Sequence, residues 1–252
     1  MPAERILITL CTYNEAENLP LLVPEIQNIA PQADLLVVDD NSPDGTGKLA
    51  DEMALRDPRI RVLHRTGKLG LGSATLAAFK YAIDQGYDYV LNLDVDFSHH
   101  PRHIPAILAL MDSKSKDRTD VAIGSRYVTG GKITGWSLKR HFMSRGVNLY
   151  ARLLLGLRTR DNSGAFRCYR ISELKKLDFD RIRATGYAFQ EEILYRCKRL
   201  GCRIQETPIE FKDRERGQSK IHMGEAVGAL FVILRLGLEN LFGTPVQRPA
   251  GK

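Results

Sequence analysis

One rhythm constrains the fold of this chain more than any other feature. Through its first half, apolar runs of strand length alternate with stretches of helical periodicity. Residues 6–10 form the first run, and Leu19, Leu22, Val23, Ile26 and Ile29 then recur at helical spacing within 17–29. Residues 35–38, 60–63, 89–93 and 121–124 repeat the strand pattern, with helical stretches over 48–56, 74–85 and 103–111 between them. Repeated β-α units with short connections predict an α/β fold, a mostly parallel central sheet with helices on both faces. No internal repeat, low-complexity tract or long linker interrupts the pattern, so residues 1–252 are expected to form one domain.

The rhythm changes after Ser125. Glycines 130, 131 and 135 precede a basic helical stretch over 138–155, and Asp161-Asn162-Ser163-Gly164 is turn chemistry. A helix is expected over 190–200 and a strand over 203–211. The C-terminal segment 221–243 is strongly apolar, but its longest uncharged run, 226–234, has nine residues. A spanning helix needs about 20. The segment therefore reads either as a core helix or as an amphipathic helix lying on a membrane or partner.

Charge is divided along the chain. Residues 1–124 carry 12 basic and 18 acidic side chains, a net of −6, whereas residues 125–220 carry 22 and 10, a net of +12. A cation-binding half is thus followed by an anion-binding half. Nucleic-acid binding is not expected, because the basic residues lack interleaved aromatics and no helix-turn-helix or RNA-binding motif is present. Four cysteines are too few for a disulfide scaffold, and residues 1–5 form no basic-then-apolar leader, which places the chain in the cytoplasm.

Ligands of open parallel sheets bind beyond the carboxyl ends of the strands. Here the expected strands end in Thr12-Tyr13-Asn14-Glu15, Asp39-Asp40 and Asp94-Val95-Asp96. Carboxylates two apart at a strand end can reach a divalent ion and the phosphate it carries, and hard oxygen ligands suit Mg²⁺ or Mn²⁺. His99 and His100 follow at what read as turn or surface positions. Gly70-Leu71-Gly72 lacks the third glycine of the dinucleotide fingerprint, and no G-x₄-G-K-[ST] loop or G-x-S-x-G elbow occurs. Kinase, GTPase, dehydrogenase and hydrolase readings lose their main support.

The segments 10–15, 37–46 and 93–101 together resemble family 2 glycosyltransferases. Further on, Gly124-Ser125-Arg126-Tyr127, Gly135-Trp136, residues 144–148, Ser163-Gly164-Ala165-Phe166-Arg167 and residues 211–220 are similar to dolichol-phosphate (polyprenol-phosphate) mannosyltransferases. The match runs in order from about residue 5 to 225, nearly the whole chain. Two departures stand out: Cys11 where the family usually has proline, and Val95 where alanine is more usual.

The resemblance implies a GT-A fold and inverting, metal-dependent transfer of mannose from GDP-mannose to a dolichyl or polyprenyl monophosphate. By motif position, Tyr13, Glu15, Val38 and Asp40 would cradle the guanosine. Asp94, Asp96 and Ser98 would hold Mg²⁺ or Mn²⁺, and Val95 would line the sugar site. Arg126, Arg214 and Lys220 would hold anionic groups, with Asp96 and Arg126 as the catalytic residues. A lipid acceptor implies peripheral contact with the cytoplasmic face of a membrane, and leaves room for a membrane-anchored protein partner. Two alternatives remain: a related family 2 transferase moving another sugar, such as glucose from UDP-glucose, to a polyprenyl phosphate, or a nucleotide- or nucleic-acid-binding module without enzymatic activity.

Overall fold

The computed structural model describes residues 4–112, 118–184, 186, 188–214 and 223–242, with side chains described from 228 onward in the last segment. Its first half follows the sequence rhythm: β1 (Ile6–Thr12), α1 (Leu19–Ile29), β2 (Ala33–Asp39), α2 (Thr46–Arg56), β3 (Ile60–His64), α3 (Leu71–Asp84), β4 (Tyr89–Asn92), α4 (Ile104–Leu110) and β5 (Val121–Ser125). The second half adds β6 (Lys132–Thr134), α5 (Leu138–Leu155), β7 (Arg167–Arg170), α6 (Ile171–Leu174), α7 (Phe189–Arg199), β8 (Ile204–Pro208), β9 (Glu210–Lys212) and α8 (Met223–Phe242).

Seven strands form one sheet in the order β3-β2-β1-β4-β7-β5-β8, and β6 pairs with β9 in a small parallel ribbon. Only β7 runs antiparallel, against both β4 and β5. The chain winds outward from β1 through β2 to β3, then returns to place β4 on the other side of β1. That reversal opens a crevice between the carboxyl ends of β1 and β4, the position where open α/β sheets bind ligands.

Alternation along the strands separates two cores. Leu7, Leu36, Val38 and Val90 face a cluster shared with α3, α5, α7 and α8, while Ile8, Leu10, Leu35, Val37 and Leu91 face one shared with α1 and α4. Both faces are therefore covered, which accounts for the near-continuous apolar strands.

Two departures from the sequence reading have physical causes. The strand β7 has the sequence Arg167-Cys168-Tyr169-Arg170, which does not look buried, yet Arg167 is fully enclosed. Its Nη1 and Nη2 donate to the carbonyls of Gln190 and Asn162, both at 2.7 Å, so burial leaves these donors satisfied. The strand expected over 203–211 is instead two strands. Ile209 switches from the sheet to the ribbon, donating to the Ser125 carbonyl at 3.0 Å and accepting from Lys132 N–H at 3.0 Å.

In α8 one face is buried and another is exposed. Ile233 and Leu236 are fully buried, whereas Phe231, Leu238, Leu241 and Phe242 are exposed. Gly237 packs where a Cβ would stand 2.9 Å from Leu154 Cβ, so α8 lies close against α5. No described helix is long and apolar enough to cross a membrane.

Candidate functional site

Three loops meet at the crevice, and each turns sharply on leaving its strand. Asn14 after β1, Asn41 after β2 and Phe97 beyond β4 have φ of 58°, 56° and 60°. Asparagine tolerates this left-handed region; phenylalanine adopts it at a cost of roughly 1–2 kcal/mol. The strained residue therefore lies in the Asp94–Asp96 loop.

The β2 side is rigidly self-satisfied. Asp39 accepts from Thr12 Oγ1 (2.9 Å), Ser42 Oγ (2.6 Å) and Ser42 N–H (3.0 Å). Asp40 pairs with Arg65 Nη1 at 2.6 Å and accepts from the N–H groups of Leu69 (3.0 Å) and Gly70 (3.2 Å). Val38 is fully buried in the core. On the β1 side, Glu15 N–H donates to Thr46 Oγ1 at 2.9 Å, and Lys68 Nζ stands 4.6 Å above the Tyr13 ring. Cys11 lies 3.9 Å from Thr75 Oγ1, and burial pushes its thiol up to about 12, against the opposing effect of that contact. It is a neutral packing group there, not a nucleophile.

The β4 loop is less committed. Asp94 keeps 36% of its side chain exposed, with Oδ2 3.1 Å from His99 Nδ1. Burial raises its pKa, but His99, Arg214 and Arg126 outweigh that and hold it below the ordinary carboxylate range. Asp96 is more enclosed: Oδ1 accepts from Ser98 N–H at 3.0 Å and Oδ2 lies 3.2 Å from Arg214 Nη2. Val95, between them, is 3% exposed and packs with the Leu93–Ile107 core cluster. Val95 lies in the turn beyond β4 with its side chain in that cluster.

His99 overturns the surface expectation. It is 2% exposed, its ring 5.4 Å from Phe166 and 5.2 Å from Phe211. A bridge from His99 to Phe211, with Lys212 N–H donating to Ser98 O at 3.3 Å, ties the acidic loop to β9. Gly135, at φ 90°, brings the end of β6 to Asp213, where a Cβ would meet Asp213 Cβ at 2.9 Å. Asp213 is clamped by Arg140 Nη1 at 2.8 and 2.9 Å, and the next residue, Arg214, reaches Asp96. Trp136 stacks against this unit, with Arg140 4.2 Å and Arg126 5.5 Å from its ring centroid.

Arg126 is held by a partner the sequence reading treated as a turn residue. Asp161 accepts from its Nε (2.7 Å), Nη2 (2.6 Å) and backbone N–H (2.9 Å), and Ser163 Oγ accepts from Nη2 at 2.9 Å. Burial disfavours the charge on Arg126, but Asp161 outweighs it and raises the guanidinium pKa. The pair is locked in turn by Asn148 of α5, which accepts from Asn162 N–H at 2.6 Å and donates to Ser163 Oγ at 3.2 Å. The one visible signal for Asp161 is an acidic residue opening a turn between α5 and β7. Lys220 lies outside the described residues.

The acidic loop offers two carboxylates and the Ser98 hydroxyl, all hard oxygen donors. Among the described residues no group of three or more His, Cys, Asp or Glu is arranged to hold a metal. Such a set fits Mg²⁺ or Mn²⁺ when phosphate oxygens and water complete the shell.

Comparison with known proteins decides the family. Residues 7–178 match the model for glycosyl transferase family 2. The chain belongs to that family. Among curated relatives of this glycosyltransferase, polyprenol monophosphomannose synthase of Mycolicibacterium smegmatis is 42% identical over 240 residues, 95% of this chain and 89% of the relative. Undecaprenyl-phosphate mannosyltransferase of Micrococcus luteus is 43% identical over 234 residues, 93% of this chain and 94% of the relative. Glucosyl-3-phosphoglycerate synthase of Mycobacterium tuberculosis, solved with Mn²⁺, UDP-glucose and phosphoglyceric acid, superposes with a TM-score of 0.66 at 18% identity. That alignment covers 94% of this chain and 80% of the synthase, and shows a shared GT-A fold.

Proposed function

We propose that this glycosyltransferase moves mannose from GDP-mannose to a dolichyl or polyprenyl monophosphate, with inversion, releasing GDP. The observation that carries the reading is the meeting, at one crevice, of the acidic β4 loop with Arg214 and Arg126. The printed names of the two curated relatives supply the sugar and the class of acceptor.

The chemistry needs little from the protein beyond charge and alignment. A phosphate monoester has its second pKa near ~6, so at neutral pH much of the acceptor is already a dianion and requires no general base. One of its oxygens attacks the anomeric carbon, the bond from that carbon to the β-phosphate oxygen breaks, and GDP leaves with the electron pair. In-line attack on the α-linked donor gives a β-linked product. Asp94, Asp96 and Ser98 would hold Mg²⁺ or Mn²⁺, whose chemistry when bound is to neutralise charge on the departing diphosphate. Tyr13, Glu15, Val38 and Asp40 would border the nucleoside, where the self-satisfied Asp39 and Asp40 fix the loop shape. Arg126, Arg214 and Lys220 offset repulsion between the two anions.

The lipid acceptor gives the exposed apolar faces a purpose. Leu138, Phe142, Leu149 and Leu153 of α5 and Phe231, Leu238 and Phe242 of α8 are exposed on two helices that pack together. We take this face to rest at the cytoplasmic surface of a membrane, bringing the crevice to the lipid phosphate.

A screen of nucleotide sugars with a short polyprenyl phosphate tests the reading. GDP-mannose is expected to be the preferred donor, with a β-linked product. Preference for UDP-glucose would keep the reaction class and replace the sugar; retention of the anomeric configuration would reject the in-line mechanism.

A further inference from the structure

A groove of about 440 Å³ is lined by four arginines, Arg126, Arg145, Arg152 and Arg160, together with Asn148 and Leu149. Among the described residues, none lining it is acidic. Arg126 is neutralised by Asp161. Arg145, Arg152 and Arg160 are exposed and have no ion-pair partner among the described residues. What sets these three apart is that they gather at one groove, whereas Arg59–Asp57, Arg118–Glu173, Arg140–Asp213 and Arg196–Glu192 are paired. Three uncompensated cations at one groove repel each other unless an anion is drawn there.

The groove is continuous with the apolar face. Arg145 and Arg152 are seven residues apart on α5 and share one flank, while Leu138, Phe142, Leu149 and Leu153 form the adjacent exposed stripe. An apolar stripe edged by arginine is the pattern of a helix lying among anionic headgroups. Of the arginines, those that act most on Asp94 are Arg214 and Arg126, which leaves the other three groove arginines to a different anion.

We propose that this groove binds the phosphodiester headgroups of anionic phospholipids, and that Arg145, Arg152 and Arg160 dock the protein on negatively charged bilayers. The proposal rests on the reading that the acceptor is a membrane lipid, and it adds a second, non-reacting lipid class.

Vesicle flotation of the full chain tests it, using phosphatidylcholine alone and equal parts phosphatidylcholine and phosphatidylglycerol. The protein is expected to float with the anionic vesicles, less so as salt is raised. The double variant Arg152→Ala/Arg160→Ala is expected to lose about 25-fold in partitioning, about fivefold for each arginine near a charged surface. Its melting temperature and its turnover of a water-soluble, short-chain polyprenyl phosphate without vesicles should match the parent. Equal flotation of variant and parent would overturn the proposal. So would a raised KM for the soluble acceptor, which would assign the groove to the acceptor's own phosphate. Flotation is read without turnover, so a chain that docks but moves no mannose refutes the transfer reading and leaves the headgroup site standing.

Discussion

The loops after β2 and β4 carry the same outward sign, two aspartates at the end of a buried strand, and use it in opposite ways. Asp39 and Asp40 spend their oxygens on Thr12, Ser42, Arg65, Leu69 and Gly70. Asp94 stays one-third exposed beside His99, with Arg214 and Arg126 also acting on it, and among the described residues Asp96 faces Ser98 N–H and Arg214. A carboxylate with its oxygens used up fixes the shape of a loop. One held chiefly by cationic side chains can exchange them for another cation. The comparison separates scaffold from chemistry where the sequence pattern does not.

The largest effect is expected at the chemical end of this contrast. Asp96→Asn should lower kcat/KM for mannose transfer about 10³-fold while leaving the melting temperature within a few degrees. Asp40→Ala should instead lower stability, costing about 3 kcal/mol in denaturant unfolding because Arg65 and two backbone N–H groups lose their partner. If instead Asp40→Ala melts like the parent, the β2 loop is not the scaffold described here. Lys220→Ala should cost about 10²-fold in transfer with no loss of fold, and near-normal turnover would remove Lys220 from the site.

The smallest expected effect concerns Glu191, a buried carboxyl at the start of α7 whose Oε2 has no hydrogen-bond partner among the described residues. Burial pushes it from its ordinary 4.5 to about 7. Between those values the folded chain keeps a proton that the unfolded chain has lost, so stability falls as pH rises. Glu191→Gln should therefore gain at most about 3 kcal/mol at pH 8 and almost nothing at pH 4. Equal gains at both pH values would show that the carboxyl is not held protonated.

The strands and helices of the first half were legible because each obeys one periodicity, and the strand-end acids because parallel sheets put their ligands there. What escaped the sequence depends on partners far along the chain. Arg167 looks like a surface residue until the carbonyls of Asn162 and Gln190 are found around it. His99 looks like a turn residue until β9 closes over it. Asp161 reads as a turn former, and only the folded chain shows Arg126 on both its oxygens. For α8 hydrophobicity alone does not tell which face is buried, and the structure buries Ile233 and Leu236 while leaving Phe231 and Leu238 exposed.

Transfer of labelled mannose from GDP-mannose to a short polyprenyl phosphate, measured before chelation, after chelation and after Mg²⁺ or Mn²⁺ is restored, tests the central claim most directly. The account predicts a β-linked mannosyl lipid phosphate whose formation stops with chelator and resumes with metal. Unchanged transfer in chelator would contradict the role given to Asp94 and Asp96, and no mannosyl lipid under any of the three conditions would contradict the function itself.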